Sequence, residues 1–346
     1  MKHNLGVVRR HAPESRLWAV VKADAYGHGL LRVAPLLADA DGYALLDLND
    51  AVRLREAGIS RPLLLLEGIF RPADLELVDR YGLTVVVHDF EQILMLERAR
   101  LATQIPVYLK INTGMNRLGV TGSGVRAAYS RLQASGKAGA IALMTHFADA
   151  DGPVGVAAQR ARFLEWTAGL QGEVTLANSA AVLRYPETHA DWVRPGIMLY
   201  GCSPFADVSA QALGLQPAMT LASEIIAVQE IKPGDRVGYG GTFEAQQAMR
   251  IGVVACGYAD GYPRHAPGLR DRATPVLVAG QRSRTVGRIS MDMLCVDLSD
   301  LPHARVGSPV ILWGEGLSAD EVAASAGTVS YELLCALAAR VPVVEA

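Results

Sequence analysis

A lysine that closes an apolar run is the first residue in this chain able to do covalent chemistry. Lys22 follows Leu17-Trp18-Ala19-Val20-Val21 and precedes Ala23-Asp24-Ala25-Tyr26-Gly27-His28-Gly29. An ammonium in that place is costly to desolvate unless it is paired or neutralised. A lysine held neutral is the form that attacks a carbonyl to make a Schiff base. The commoner reading of such a segment is a lysine whose stem lies along the strand while its head reaches water. Gly27 and Gly29 relax the backbone beside it, which favours a ligand approaching closely. Polar residues follow apolar runs again at Asp47, Glu67, His88, Lys110, His146, Asn178-Ser179 and Arg194. Each one singly is an ordinary strand-to-loop transition. Taken together, with two lysines, an arginine and His146 among them, they read as a site. Tyr239, set among glycines in Val237–Phe243, reads on its own as a turn tyrosine.

The elements that would position these residues repeat along the first 200 positions. Strands are predicted at Leu17–Lys22, Tyr43–Leu46, Pro62–Leu66, Leu83–Val87, Val107–Ile111, Ile141–Thr145, Val174–Leu176 and Trp192–Val193. Their Val, Ile and Leu runs lack polar alternation, as parallel strands buried on both faces do. Amphipathic stretches such as Asn49–Ala57, Phe90–Ala99 and Val156–Leu170 separate them, so the pattern is one of βαβ units. Eight such units close a (β/α)8 barrel of the TIM type, whose chemistry sits at the C-terminal strand ends. Beyond about Pro217, β-branched runs and turns at Glu224–Gln229, Ile251–Ala255, Thr274–Val278, Thr285–Ile289, Leu294–Asp297 and Val310–Trp313 predict a mostly antiparallel β domain. Short helices are predicted at Ala319–Ala326 and Tyr331–Ala339, and Gly201–Gln216 reads as a linker. The expected organisation is therefore an α/β barrel over residues 1–212 and a β domain over 213–346.

Composition narrows the class. With 346 residues, half of them hydrophobic and a fifth charged, two domains with sizeable cores are expected and disorder is excluded. A net charge of −2 points to neither nucleic acid nor an anionic membrane as partner. Cys202, Cys256, Cys295 and Cys335 lie far apart with no metal-ligand spacing, so no metal is expected and buried thiols in a reducing compartment are. No stretch reaches the ~18 to 20 apolar residues that span a bilayer, and Met1–Arg10 has no secretory apolar core. The cytoplasm is the expected compartment.

The run AVVKADAYGHG (Ala19–Gly29) resembles the cofactor-lysine signature of the alanine racemase family. Further matches follow in order: LKINTGMNRLG (Leu109–Gly119), MTHFADAD (Met144–Asp151), ANSAA (Ala177–Ala181), RPGIMLYG (Arg194–Gly201), VGYGGTF (Val237–Phe243), GYADGYPR (Gly257–Arg264), GRISMDM (Gly287–Met293) and VSYELLCAL (Val329–Leu337). The resemblance implies a barrel that binds pyridoxal 5'-phosphate (PLP), followed by a β domain. Lys22 would hold the cofactor and act as one base. Tyr239 would be the second base, on the opposite face of the substrate Cα. A free tyrosine titrates near ~10, so the site must lower that value or supply a relay. Arg194 matches the residue facing the pyridine nitrogen, where most PLP enzymes place a carboxylate. A ring left neutral is a weaker electron sink and suffers less stray transamination. His146 would lie by the cofactor ring. Tyr26, Ser179, Tyr331 and the N–H groups of Gly196 and Ile197 match the phosphate ligands, at the barrel end that commonly takes phosphate.

The remaining matches concern the substrate. Arg117 and Lys110 correspond to a pair in which a carbamylated lysine orients the arginine toward the cofactor's phenolic oxygen. Asn112 stands where the family often has Asp. Met291 and Asp292 match the substrate end, the Met291 N–H receiving the carboxylate, and Tyr258 would line the way in. Family dimers set the β domain over the neighbour's barrel, which implies a head-to-tail homodimer with shared sites. Family members also usually carry a strand before the His-Asn pair, here His3-Asn4. Without it a sheet edge is expected to lie open. Met291 and Tyr331 leave room for a small side chain, so L- and D-alanine are the expected substrates. A serine or broad-specificity racemase is the alternative on this scaffold. A PLP decarboxylase would want a carboxylate in place of Arg194. A PLP carrier would bind cofactor without turnover, and a PLP-free barrel enzyme would be colourless.

Overall fold

Eight parallel strands close into a barrel in the computed structural model, which describes residues 1–345. They are β1 (Arg16–Val20), β2 (Gly42–Leu45), β3 (Leu63–Leu65), β4 (Thr84–Val87), β5 (Ile105–Lys110), β6 (Ala138–Met144), β7 (Val174–Thr175) and β8 (Trp192–Val193). Each pairs with the next, and β8 returns to β1 with Arg16 opposite Trp192 and Leu17 opposite Val193. Leu63, Leu64, Leu65, Val85 and Val86 are fully buried, which explains why these runs carry no polar alternation. The (β/α)8 expectation from the sequence holds, with strand bounds displaced by at most a few residues.

The strands are joined by helices whose starts are set by the residues after each strand. Asp47 accepts from the Asn49 N–H at 2.7 Å and caps the helix Leu48–Glu56. Asp89 caps Phe90–Arg98 through the Glu91 N–H at 2.8 Å, and Asn178 caps Ser179–Arg184 through the Ala181 N–H at 3.0 Å. Two members of the polar ring, Asp47 and Asn178, are thus engaged as helix caps, a role worth ~0.5–2 kcal/mol each. At the N-terminal end of the barrel, Trp18 stacks on Trp192 with centroids 4.4 Å apart, and its Nε1–H donates to the Tyr108 hydroxyl at 3.0 Å. Arg16 lies 4.3 Å over the Trp192 ring, whose Nε1–H donates to Glu173 at 2.8 Å. These aromatics fill the barrel opposite the end where chemistry is expected.

One helix, Lys2–His11, was not read from the sequence. Gly6 and the β-branched pair Val7-Val8 weaken its propensity. Its tertiary contacts hold it: Leu5, Val7 and Val8 are buried, buried Asn4 donates to the Leu199 carbonyl at 3.1 Å, and Arg9 pairs with Asp41 at 2.6 Å.

The chain divides into two units, Met1–Leu199 and Tyr200–Ala346. The second is antiparallel: β9 (Leu221–Ile231), β10 (Arg236–Val237), β11 (Phe243–Glu244), β12 (Met249–Val254), β13 (Pro275–Val278), β14 (Gln281–Val286), β15 (Leu294–Asp297) and β16 (Pro309–Trp313). Six of them form a second closed barrel in the order β12-β15-β14-β13-β16-β9. Closure depends on β9, which pairs with β16 over Leu221–Glu224 and with β12 over Ile225–Ile231. Alternating burial along β13 and β15 gives the period-2 signal of strands with one wet face. Both barrels close with the strands described, so neither shows the open edge expected of a missing strand. The predicted linker folds back on itself: the Ala218 N–H donates to the Tyr200 carbonyl at 3.1 Å. The helix Ala319–Ala326 starts at Ser318, whose hydroxyl accepts from the Asp320 N–H at 3.1 Å. None of the four cysteines forms a disulfide among the described residues; Cys202 and Cys256 are buried as expected, while Cys295 is half-buried and Cys335 exposed. Among the described residues no helix is long and apolar enough to cross a membrane, and no cluster of three His, Cys, Asp or Glu could hold a metal.

Candidate active site

Lys22 leaves β1 into a turn of unusual hand. Ala23, Asp24, Ala25 and Tyr26 have φ of 53°, 51°, 55° and 54°, and Gly27 and Gly29 continue positive. For an L-residue this conformation costs roughly 1–2 kcal/mol. Four non-glycine residues in succession therefore need a surrounding frame to hold them. Hydrogen bonds from the Ala25 N–H to the Val21 carbonyl (3.0 Å) and from the Gly27 N–H to the Ala23 carbonyl (2.9 Å) close the turn. The Asp24 carboxylate accepts from the Leu30 N–H at 2.7 Å and joins it to the next helix. Of these residues, only Gly27 and Gly29 signal a turn by their type.

The consequence is where Tyr26 ends. Its hydroxyl lies so near Gly196 that a Cβ there would sit 2.4 Å away. The Gly196 N–H in turn donates to the Ser179 hydroxyl at 2.9 Å. Tyr26, Ser179, Gly196 and Ile197, four of the five predicted phosphate ligands, are brought together and all are buried. The fifth, Tyr331, lies in the second unit on the helix Ser330–Cys335, 38% exposed.

The same strand ends gather cations. Lys110 is buried at the end of β5, and burial followed by the charges of Arg194, Arg117 and Lys22 pushes its amine from 10.5 down to about 8; Glu67 alone opposes them. His146 is driven well below its usual range by burial and then by Arg194, Lys110, Arg117 and Lys22, so it is neutral. Arg117 is exposed on the loop after β5. That loop is turned by Asn112, whose side-chain oxygen accepts from the Gly114 and Asn116 N–H groups at 3.1 and 2.9 Å. Its amide also donates to the Asn116 side-chain oxygen at 3.3 Å, a bond that an aspartate could not give. Arg194 follows β8 and is 4% exposed, and burial lowers its guanidinium to about 10. Its Nη1 donates to the Thr175 hydroxyl at 2.6 Å, and its Nη2 to the carbonyls of Thr145 (2.7 Å) and Leu176 (3.2 Å). His146 Nδ1 lies 3.5 Å from the same Nη2. No described residue accepts from its Nε–H, and it makes no ion pair among the described residues.

Sequence reasoning missed the polar residues that back this ring. Thr145 bonds the Ile111 carbonyl and Thr113, each at 2.8 Å. Gln159 donates to Thr113 at 3.0 Å and to the His146 carbonyl at 3.1 Å, tying the loops after β5 and β6 together. The available signal was a threonine inside an apolar strand, at Thr145 and Thr175, where a closed barrel has little use for a hydroxyl.

In the second unit, Tyr239 caps a ribbon formed by β10 and β11, with Gly238, Gly240 and Gly241 at positive φ around it. Val237 and Phe243 anchor the ribbon in a cluster with Ala245, Met249, Ile251 and Val286, and leave Tyr239 72% exposed. Tyr258 and Met291 are brought together with Asp292. The Tyr258 N–H donates to the Ser290 carbonyl at 3.1 Å and the Ala259 N–H to the Met291 carbonyl at 2.9 Å. A Cβ on Gly257 would fall 2.3 Å from that Met291 carbonyl, so only glycine permits the approach. Arg340 joins Asp260 (2.7 Å) to Asp292 (2.6 Å) and braces the two loops from outside, a contact the sequence did not announce.

Residues 1–204 match the family model for the alanine racemase N-terminal domain, and residues 218–345 match that for the C-terminal domain. An alanine racemase from Ralstonia nicotianae is 60% identical over 344 residues, covering 99% of this chain and 91% of its own length. One from Paraburkholderia phytofirmans is 58% identical over 344 residues, covering 99% and 96%. The crystal structure of biosynthetic alanine racemase from Pseudomonas aeruginosa aligns with a TM-score of 0.95 at 48% identity, over 99% of this chain and 95% of that one. Both halves are matched in order, and the likeness runs through fold and sequence alike: the chain is an enzyme of the alanine racemase family.

Proposed function

We propose that this chain interconverts L- and D-alanine by moving a proton between two bases, with PLP held covalently on Lys22, in a cytoplasmic homodimer. The observation that carries the reading is Arg194. It is a buried cation among neutral acceptors, and its Nε–H donates to no described residue. That donor suits a pyridine nitrogen and cannot protonate it. The rest of the ring fits the same group. Tyr26, Ser179 and Ile197 surround the start of the helix Ser179–Arg184, where a phosphate would also take up the Gly196 N–H that here donates to the Ser179 hydroxyl. The cationic strand ends suit an anionic cofactor.

PLP, when bound, supplies the electron sink that makes the substrate Cα–H acidic. Racemisation then needs one face of Cα to lose a proton and the other to gain one. Lys22 Nζ takes or gives the proton on one face and the Tyr239 hydroxyl on the other. The Met291 N–H and Asp292 lie at the substrate carboxylate end, and Tyr258 lines the approach. Lowering the Lys110 amine enlarges the share in the neutral form, which can combine with carbon dioxide and release a proton to give a carbamate; that anion would draw Arg117 toward the cofactor. The second unit of one protomer supplies Tyr239 to the barrel of the other.

The experiment is chiral chromatography of L-alanine after incubation with PLP-loaded protein. Approach to equal D- and L-alanine supports the reading. PLP bound without any D-alanine overturns the substrate, and a colourless protein overturns the role of Lys22.

A further inference from the structure

The geometry points to Thr175 as the positioning residue that aims Arg194, an inference resting on the PLP reading above. A buried guanidinium holds its direction only through the acceptors it meets, and those of Arg194 are two carbonyls, a neutral histidine and one hydroxyl. The hydroxyl makes the shortest of these contacts, 2.6 Å to Nη1. Its orientation is fixed, because the Thr175 O–H donates to the Trp192 carbonyl at 2.9 Å. With its proton committed there, only lone pairs remain for the arginine. Thr175 is fully buried on β7, directly opposite Trp192 on β8 and two residues from Arg194 along that strand register.

All four of these acceptors meet the η nitrogens, and the Nε–H, which no described residue accepts, is the donor left for the cofactor ring. An aspartate or glutamate in place of Thr175 would aim the guanidinium equally well. It would also neutralise the charge, which a ring nitrogen kept free of a proton does not require. The hydroxyl therefore supplies direction without a counter-ion. It is a positioning residue, since it touches Arg194 and not the reacting atoms.

The test compares Thr175→Val, which keeps the shape and removes both hydrogen bonds, with Thr175→Ser, which keeps both. Each PLP-loaded enzyme is read by the pH dependence of its visible absorbance at rest, by the dissociation constant for PLP, and by pyruvate released per alanine racemised. Loss of a hydrogen bond to a charged group predicts roughly tenfold weaker PLP binding in the valine variant. Its absorbance profile should shift, pyruvate per turnover should rise, and kcat should fall while KM for alanine stays within about twofold. The serine variant should match the parent in all of these. A folded valine variant with the parent's absorbance profile and pyruvate ratio overturns the inference, as does a serine variant that behaves like valine. Should valine prevent folding, Thr175→Cys, a weaker acceptor of similar size, takes its place under the same criteria. A parent enzyme that binds no PLP takes down the reading and the inference together; one that binds PLP and racemises while valine changes nothing takes down the inference alone.

Discussion

At the scale of single residues, charge rather than shape dominates the first unit's site. Lys110 shows what that costs. Its amine is pushed from 10.5 to about 8 in the folded chain. Between those values the unfolded chain binds more protons, so stability rises with pH across that window. Below about 8 both states are charged and the full penalty stands, on the order of 3 kcal/mol for a group this buried. The carbamylation proposed for Lys110 would replace the cation by an anion among cations and so offset the penalty. Protein stripped of carbon dioxide is therefore expected to melt higher as pH is raised from about 8 toward about 10, and bicarbonate should remove most of that slope. The Lys110→Met variant should lack the slope altogether; an equal slope there would show that another group titrates. Tyr239 gives a second prediction. With Phe in its place, racemisation should fall by roughly 10²–10⁴-fold. Lys22 would still exchange the Cα proton of one enantiomer with deuterium oxide. Exchange of both enantiomers at equal rates would remove Tyr239 as a base.

At the scale of elements, the turn after Lys22 is the clearest case of local preference overruled. Its four left-handed non-glycine residues oppose intrinsic preference at each step, and the frame around Val21, Asp24 and Gly29 wins. Ala23 is exposed, so a glycine there removes the strain without opening a cavity. Ala23→Gly is expected to raise the denaturant midpoint by about 1 kcal/mol in stability, against the usual sign of such a change. A lower midpoint would mean that the turn is not strained. This element also marks the limit of what could be read in advance. The apolar runs announced all eight barrel strands because burial on both faces writes itself into composition. The six-stranded barrel was legible as antiparallel but not as closed, since closure rests on β9 changing partners midway. The left-handed turn, the helix Lys2–His11 and the ribbon under Tyr239 were not legible, because each depends on tertiary contacts rather than on its own residues. Among the site residues, the motifs marked Arg194 and Ser179, while Thr175 and Gln159 carry no local pattern beyond a polar side chain in an apolar setting.

At the scale of the whole molecule, the second unit presents Tyr239, Tyr258, Met291, Met293, Val329 and Tyr331 to solvent, each between 36% and 72% exposed. Large apolar side chains exposed to this degree are costly to leave in water and suit an interface. The proposed homodimer covers them with a second copy of the chain, and its sites then take Lys22 from one protomer and Tyr239 from the other. That arrangement can be tested without a structure of the dimer. Lys22→Ala and Tyr239→Phe should each be nearly inactive alone. When the two are mixed, dissociated and reassembled, half the dimers carry one of each chain. In such a dimer one site has lost both bases and the other has kept both. Activity should then recover to about a quarter of the parent's per subunit, as closed twofold pairing requires. If each site were built from a single chain, every site in the mixture would lack one base. No activity would return at any ratio, and the shared site would have to be given up even if the chain proved dimeric.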